Sequence, residues 1–578
     1  IPKFKARYVM RGDKVIRPQA GEDFREKINK MINDHGYAQN VTSAVTSQRG
    51  FRFTCAIALI TDAEVESADL EQFFVQEEWP VKQDKIGEGR LFMRLTVQEM
   101  RELPTHLQPP EDEDWNEYLY TVDKCLYGHE LSCRLASMGL TRKLTKMGFK
   151  KLRSEYALFV GWDPKGEMVI SIVYVDDICV VGSKEGRSWF WKELRTRYRI
   201  PETGLMTRYV GTNCTFIRDK KWARAYFDQH EYAAEILRSY HEKMDTKAFP
   251  LVPPEKRNTC KVTKHDTRPD RMTKVKIDEK NTSNTKVQDI QEILGMYGWY
   301  TGCVRPDIMF TVRALQQRCH CWDKTCDHTL AELTSYVGKT KYGGFVMHFS
   351  LDEGRLRVVI FTDSDLHAPK SQSGGLMAII GPGGTFIPLE FTSQKQKPVS
   401  NSTPMSEVIS AAGFIQAQLL FATEIQQILD VIQGRVDKKF WDRLDPQQIP
   451  MFVDAKEIKR QGHQPAKMSI QTITTKLNRD QLLWLTESLM LSLIYLNTKW
   501  NPSDIGTKQH DSIDTLRKLN NVVLDCEDDI KKKDWVPTTE ATALIKMLFE
   551  EINQLNGTAK ITGIDHFLRV CWEIDEPQ

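Results

Sequence analysis

Short runs rich in Val, Ile and Phe alternate with polar residues from Ala56 to Val75 and again from Glu167 to Val181, the period expected of strands in a half-buried sheet. Between them, Leu135 to Phe149 has helical spacing. Asp289 to Arg318 and Thr329 to Val337 also read as helices, with Asp289 offered as an N-cap before Ile290, Ile293 and Leu294. Further on, Arg357 to Thr362, Gly375 to Ile380 and Thr385 to Leu389 predict three strands, the last two separated by a Gly-Pro-Gly-Gly turn at 381 to 384. A helical stretch from Met405 to Leu429 follows. It is succeeded by a strand at Ile449 to Val453, a helix at Ile473 to Leu489 and a strand at Leu493 to Leu496. The pattern predicts an α/β (α+β) chain, and no internal repeat is visible.

The chain has 578 residues, which suggests roughly three to five folding units. Pro253 to Lys286 is basic, polar and nearly devoid of large apolar residues, so it reads as a linker. This divides the chain into 1–252, a linker at 253–288, a helical connection at 289–350, a mixed-sheet unit at 351–510 and an extension at 511–578. The extension matches no pattern, although Ala543 to Leu555 has the spacing of a packed accessory helix.

Charged residues at 27% and hydrophobic residues at 40% are those of an ordinary globular protein. No run reads as long and apolar enough to cross a bilayer, and the N-terminus lacks a signal peptide's apolar segment. No membrane partner is expected. The net charge of +2 says nothing about nucleic acid, because a local basic face matters more than the total. Twelve scattered cysteines read as reduced thiols, and the Cys319-His320-Cys321, Cys326, His328 group lacks the spacing of a zinc site.

The chemistry is carried by carboxylates. Val169 to Tyr174 and Ile178 to Val181 flank Val175-Asp176-Asp177, so a hairpin would push two acids out at its tip. Adjacent carboxylates repel one another unless a cation lies between them. Nucleotidyl transfer uses such an arrangement, with two metal ions about 3.5 to 4 Å apart held by carboxylates. Asp69, at the end of another strand-like run, is the choice for a third ligand. A second set occurs in order: Asp363 after a predicted strand, Glu407 in a helix, Asp454 after a strand, and Asp504 in Asn501-Pro-Ser-Asp-Ile-Gly-Thr-Lys508. Four carboxylates at the ends of separate elements suit a two-metal nuclease. Asp365 is the nearest competitor to Asp363.

The order of segments resembles the Pol polyprotein of copia-type long-terminal-repeat retrotransposons over about nine-tenths of the chain. Lys3-Phe-Lys-Ala-Arg-Tyr-Val-Met-Arg-Gly12 is similar to that family's Tyr-Lys-Ala-Arg-Leu-Val-Ala-Lys-Gly opening. Asp69 to Val75 is similar to Asp-Val-Lys-Ser-Ala-Phe-Leu, and Lys124-Cys-Leu-Tyr-Gly128 to Lys-Ala-Leu-Tyr-Gly. Tyr174 to Asp177 is the family's Tyr-Val-Asp-Asp unchanged. Tyr209-Val210-Gly211 resembles its Phe-Leu-Gly primer-gripping turn, and Arg305-Pro-Asp-Ile308 its Arg-Pro-Asp-Ile. The segments around Asp363, Glu407, Asp454 and Asp504 resemble Ser-Asp-Ala-Asp, Ser-Thr-Glu-Ala-Glu, Cys-Asp-Asn and Asp-Ile-Leu-Thr-Lys.

The resemblance implies a right-hand polymerase of fingers, palm and thumb followed by a ribonuclease H-like domain. It implies RNA-directed DNA synthesis and degradation of the RNA in the hybrid. Asp69, Asp176 and Asp177, then Asp363, Glu407, Asp454 and Asp504, would be catalytic and would hold Mg²⁺ or Mn²⁺, two ions per site. Phe74 would lie under the incoming sugar and select deoxynucleotides, with Tyr174, Tyr209 and Gly211 nearby. Lys5 and Arg7 would meet triphosphate or template.

The implied partners are an RNA template, a DNA primer, the RNA/DNA hybrid and deoxynucleoside triphosphates, with the integrase and protease of the same polyprotein. The implied setting is a cytoplasmic virus-like particle or the nucleus, and the missing initiator Met suggests release from a longer chain. Two departures stand out: Leu131 replaces a nucleotide-contacting Gln, and Met405 replaces the first acid of Glu-Ala-Glu. They point to an alternative, a catalytically impaired remnant that only binds nucleic acid.

Overall fold

The computed structural model describes residues 45–79, 92–129, 131–251, 282–366, 370–437, 448–456, 473–487, 490–507, 524–526, 531–532 and 535–555. The helices are α1 (Gln48–Thr61), α2 (Val97–Arg101), α3 (Ser132–Lys146), α4 (Lys184–Arg195), α5 (His230–Lys243), α6 (Val287–Cys303), α7 (Met309–Gln316), α8 (Lys324–Lys339), α9 (Thr403–Ile432), α10 (Ile473–Glu487) and α11 (Thr539–Leu555). The strands of the N-terminal half are β1 (Glu64–Asp69), β2 (Phe92–Met93), β3 (Tyr120–Thr121), β4 (Lys150–Lys151), β5 (Leu158–Trp162), β6 (Met168–Tyr174), β7 (Asp177–Gly182), β8 (Gly204–Leu205), β9 (Arg208–Tyr209), β10 (Thr212–Arg218) and β11 (Trp222–Asp228). Then come β12 (Gly343–Ser350), β13 (Arg357–Asp365), β14 (Gln372–Ile380), β15 (Phe386–Lys395), β16 (Ile449–Val453), β17 (Leu491–Tyr495) and β18 (Leu524–Cys526).

Two sheets dominate. The first runs β4-β5-β6-β7-β1-β8 and is antiparallel throughout. The second runs β17-β16-β13-β14-β15-β12-β11-β10-β9, with β18 added beside β12. Within it β13, β14 and β15 form an antiparallel meander, and β16 and β17 join β13 in parallel. The mixed α/β class read from the pattern is the class observed.

Local differences from the pattern have physical causes. Ala56 lies in α1 rather than in a strand, and only Glu64–Asp69 is extended. The apolar run there is buried on every side of the helix, and a short all-apolar run does not distinguish a buried helix from a buried strand. Ser47 caps α1 by accepting the Gly50 amide, and Asp62 ends it in the left-handed region at φ 54°. Asp289 lies inside the first turn of α6, whose N-cap is Lys286. The expected helix to Arg318 is broken at Arg305-Pro306, where the proline ring disfavours helical geometry in the residue before it. The segment taken as a helical connection also contributes β12 to the second sheet. Asp363 lies within β13 rather than after it.

Helix α9 is, by length and composition, apolar enough to cross a membrane, contrary to the expectation that no segment would be. It is instead packed inside the fold, with 78% of its most apolar window buried. Buried Glu407, Gln418, Glu424 and Asp430 lie along it, each with polar or charged neighbours.

One hydrophobic core includes α1, part of the first sheet, the α6–α8 helices, both ends of the second sheet and α11. A second, smaller core lies under α3 and α4 on the other face of the first sheet. Polar ties reinforce the shared core. The backbone amides of Arg153 and Ser154 donate to Glu424 at 2.9 and 3.1 Å, and the Ser154 hydroxyl also donates to it. Arg49 donates to Gln418 at 2.9 Å and lies over the Phe421 ring. Arg52, fully buried, donates to the carbonyls of Leu389, Gly302 and Cys303 and faces the Phe391 ring.

Candidate functional sites

The β6–β7 hairpin is closed by Val175 and Asp176, with Tyr174 paired to Asp177. Val175 sits at φ 59°, a conformation a β-branched side chain rarely accepts. Such strain persists only where surrounding structure enforces it, and two pairings do so here. β1 lies antiparallel to β7 with Asp69 opposite Asp177, and the Leu70 amide donates to the Asp176 carbonyl at 2.8 Å. Asp69, Asp176 and Asp177 are therefore brought to one end of adjacent strands, close enough for the charges of Asp176 and Asp69 to act on Asp177.

Burial, then the charges of Asp176 and Asp69, push the Asp177 carboxyl up to about 6. A site that raises the cost of its own negative charge is suited to a cation.

Tyr209 is buried, packs its ring tilted against that of Phe51 at 5.2 Å between centroids, and donates its hydroxyl to the Asp177 carbonyl at 3.3 Å. It therefore braces the hairpin from behind, a correction to its expected role as a substrate contact. The adjoining turn is tight, with Val210 at φ 45° and Gly211 at φ 75°. Phe74 opens a short 3₁₀ turn after Gln72 and is half-buried, its ring 4.8 Å from that of Tyr127. Tyr127 was not singled out in advance, although it lies in the quoted Lys124-to-Gly128 segment. Leu131 is half-buried beside Trp79, Cys125 and Leu135, and its amide donates to His129 Nδ1 at 3.1 Å. Lys5 and Arg7 lie outside the described residues.

A second site is built on β13. Asp363, Asp454 and Asp504 each offer an oxygen, and the three atoms lie within 4.8 Å of one another. Asp363 is on β13, Asp454 just beyond the parallel neighbour β16, and Asp504 in the 3₁₀ turn Pro502–Gly506. The strand β13 is buried along almost its whole length, which explains its continuous apolar run before the acid. Asp365, the competitor, falls outside the triad.

Glu407 enters from α9. Its Oε1 accepts the Ser364 amide at 3.1 Å, while its Oε2 is buried with no hydrogen-bond partner among the described residues. Burial, followed by the charges of Asp363 and Asp454, raises its carboxyl well above the usual range. Three converging carboxylates plus a buried, unsatisfied carboxylate oxygen fit a divalent cation, whose hard charge prefers oxygen ligands.

The polar bed under this site was not anticipated. Asn501 Nδ2 donates to the Thr362 carbonyl at 2.9 Å, Ser410 Oγ donates to the Asp363 carbonyl at 2.7 Å, and the Thr507 hydroxyl donates to Asp363 Oδ2. Asn501 and Thr507 carried some signal, as part of the segment from Asn501 to Lys508. The Arg305-Pro-Asp-Ile308 motif is structural. Arg305 and Asp307 form a two-pronged buried pair at 2.9 and 2.8 Å, and Tyr336 and Thr340 satisfy the remaining bonds.

Comparison with known proteins adds the following. Residues 63–253 match the family described as reverse transcriptase (RNA-dependent DNA polymerase). The chain is 24% identical over 347 residues to the retrovirus-related Pol polyprotein from transposon RE1 of Arabidopsis thaliana, covering 58% of this chain and 21% of that one. It is 25% identical over 350 residues to the corresponding polyprotein from transposon RE2 of the same plant, with the same coverage. The chain thus spans about a fifth of the length of these relatives, and the matched share is smaller than the nine-tenths read from the motifs.

Among solved structures, the foamy viral protease-reverse transcriptase in complex with dsDNA aligns over 85% of this chain and 84% of its own, at 10% identity and a TM-score of 0.15. LC11-RNase H1, isolated from compost by a metagenomic approach, aligns over 28% of this chain and 97% of its own, at 16% identity and a TM-score of 0.17.

Proposed function

We propose that this chain, whose residues 63–253 match the reverse transcriptase family and which is similar to retrotransposon Pol polyproteins, both copies RNA into DNA and cleaves the RNA of the resulting hybrid. The observation that carries the reading is the presence of two separate carboxylate clusters, one at the β6–β7 tip beside Asp69 and one on β13. Polymerisation belongs to the first and hybrid cleavage to the second.

In each site Mg²⁺ or Mn²⁺ would supply positive charge against phosphate and the Lewis acidity that phosphoryl chemistry needs. Asp69, Asp176 and Asp177 would hold it in the first, and Asp363, Glu407, Asp454 and Asp504 in the second. The strained turn presents Asp176 beyond the sheet while β1 and Tyr209 keep Asp177 in register. Phe74, backed by Tyr127, forms an aromatic wall where a 2′-hydroxyl would meet carbon rather than a hydrogen-bond partner. Lys5 and Arg7 would neutralise phosphate, Tyr174 and Gly211 would line the primer path, and the integrase and protease of the same polyprotein would act beside this chain.

The test is primer extension on an RNA template with deoxynucleotides and Mg²⁺, run beside cleavage of a labelled RNA/DNA hybrid. Asp176→Ala should abolish extension and spare cleavage, and Glu407→Ala should do the reverse. Each loss should exceed the 10–100-fold typical of residues one layer behind a ligand. No extension by the folded parent would sink the polymerase assignment, and an uncut hybrid the nuclease assignment. Leu131 supports a second reading, binding without turnover, which salt-sensitive hybrid binding with neither product would select.

A further inference from the structure

The Asn501–Thr507 turn has a property that its single acid does not explain. It delivers Asp504 to the carboxylate triad and, three residues later, turns the Thr507 hydroxyl back onto Asp363 Oδ2, a ligand contributed by a different element. Thr507 is fully buried, as are Asn501 and Ser503.

The turn is also seated tightly on the sheet. Ser393 Oγ donates to the Gly506 carbonyl at 2.5 Å, and Asn501 holds the Thr362 carbonyl one residue before Asp363. A Cβ added to Gly506 would come within 2.5 Å of the Thr392 carbonyl oxygen, and one added to Gly374 within 2.7 Å of both the Ser503 carbonyl oxygen and Thr507 Cγ2. Two glycines that allow this approach and three side-chain hydrogen bonds leave the turn little freedom. The Thr507 donor is thereby delivered to a set place. A carboxylate whose one oxygen receives such a donor presents the other in a defined direction, and outer-layer partners of this kind set metal affinity.

We propose that Thr507 is a positioning residue, which orients Asp363 so that the Asp363, Asp454 and Asp504 oxygens converge before any cation binds. The inference rests on the nuclease reading above and specifies how that site is preorganised. Its consequence is that one turn controls both the Asp504 ligand and the aim of the Asp363 ligand, so the spacing of the two is set by a single element.

The test pairs Thr507→Val, which keeps shape and loses the donor, with Thr507→Ser, which keeps the donor. Mn²⁺ binding is followed by electron paramagnetic resonance of the free ion on the full chain carrying Asp177→Asn, which reduces the contribution of the polymerase site. Asp454→Asn in that background identifies the binding due to the triad. Thr507→Val should weaken triad binding by 10- to 100-fold. Thr507→Ser, which keeps the donor, should bind Mn²⁺ as the parent does.

In chains with intact Asp177, DNA synthesis should be the same for both variants, reporting an intact fold. Unchanged Mn²⁺ affinity in Thr507→Val overturns the positioning role while leaving the nuclease reading in place, and equal weakening in Thr507→Ser overturns it as well. A parent in which Asp454→Asn removes no Mn²⁺ binding overturns the nuclease reading itself, and the inference with it.

Discussion

His348 illustrates how a single residue can set an environmental limit on this protein. It is completely buried in β12, with the rings of Trp222, Trp535 and Phe386 around it, and burial pushes its imidazole down to about 3. In the unfolded chain the same group titrates near 6.5. Between those values the unfolded state binds a proton that the folded state refuses. Stability is therefore whole above pH 6.5 and falls by up to about 1.4 kcal/mol per unit as pH drops toward 3. His348→Phe, which retains an aromatic ring but cannot protonate, should remove that slope. Chemical denaturation at pH 7.5 and pH 4.5 is the measurement, and the parent should lose about 2 to 3 kcal/mol more than the variant over that interval.

Between elements, the tie from α9 to the loop after β4 stands out because its acid is buried in a mostly apolar helix. Burial raises the Glu424 carboxyl above its usual range, and three bonds accepted from Arg153 and Ser154 oppose that rise in part. Glu424→Ala should cost about 1–3 kcal/mol, since amides matched to that carboxylate lose their partner. Hydrogen exchange at Arg153 and Ser154 should accelerate accordingly, and unchanged protection would show that the tie contributes nothing. The same elements explain why some features were visible in the chain and others were not. The hairpin tip and the β13 acid lie beside strand-like runs, so the acids stood out against apolar neighbours. Helix α1, buried all round, offered no amphipathic stripe by which to tell it from a strand.

At the level of the whole molecule, the two carboxylate sites are not on separately folding units. β12 pairs with β11 on one side and β15 on the other, so one sheet runs from the strands after the β6–β7 hairpin to those carrying Asp363. The main core is likewise shared, from Phe51 through Val358 to Phe549. Thermal unfolding should therefore show one cooperative transition, with the two proposed activities, primer extension and hybrid cleavage, lost at the same temperature. Two transitions separated by more than a few degrees would contradict the shared core. β12 and α11 both belong to that core.

The sequence by itself determined which acidic residues are candidates for the two sites. The identities and order of Asp69, Asp176, Asp177, Asp363, Glu407, Asp454 and Asp504 are properties of the chain, and their setting at the ends of apolar runs follows from a period that needs no partner to be read. Only the tertiary structure decided which oxygens converge, that Tyr209 faces inward, and that Thr507 reaches Asp363. Each of those depends on contacts between residues far apart in the chain. No local periodicity encodes such contacts, because they arise when separate elements bury their faces against one another.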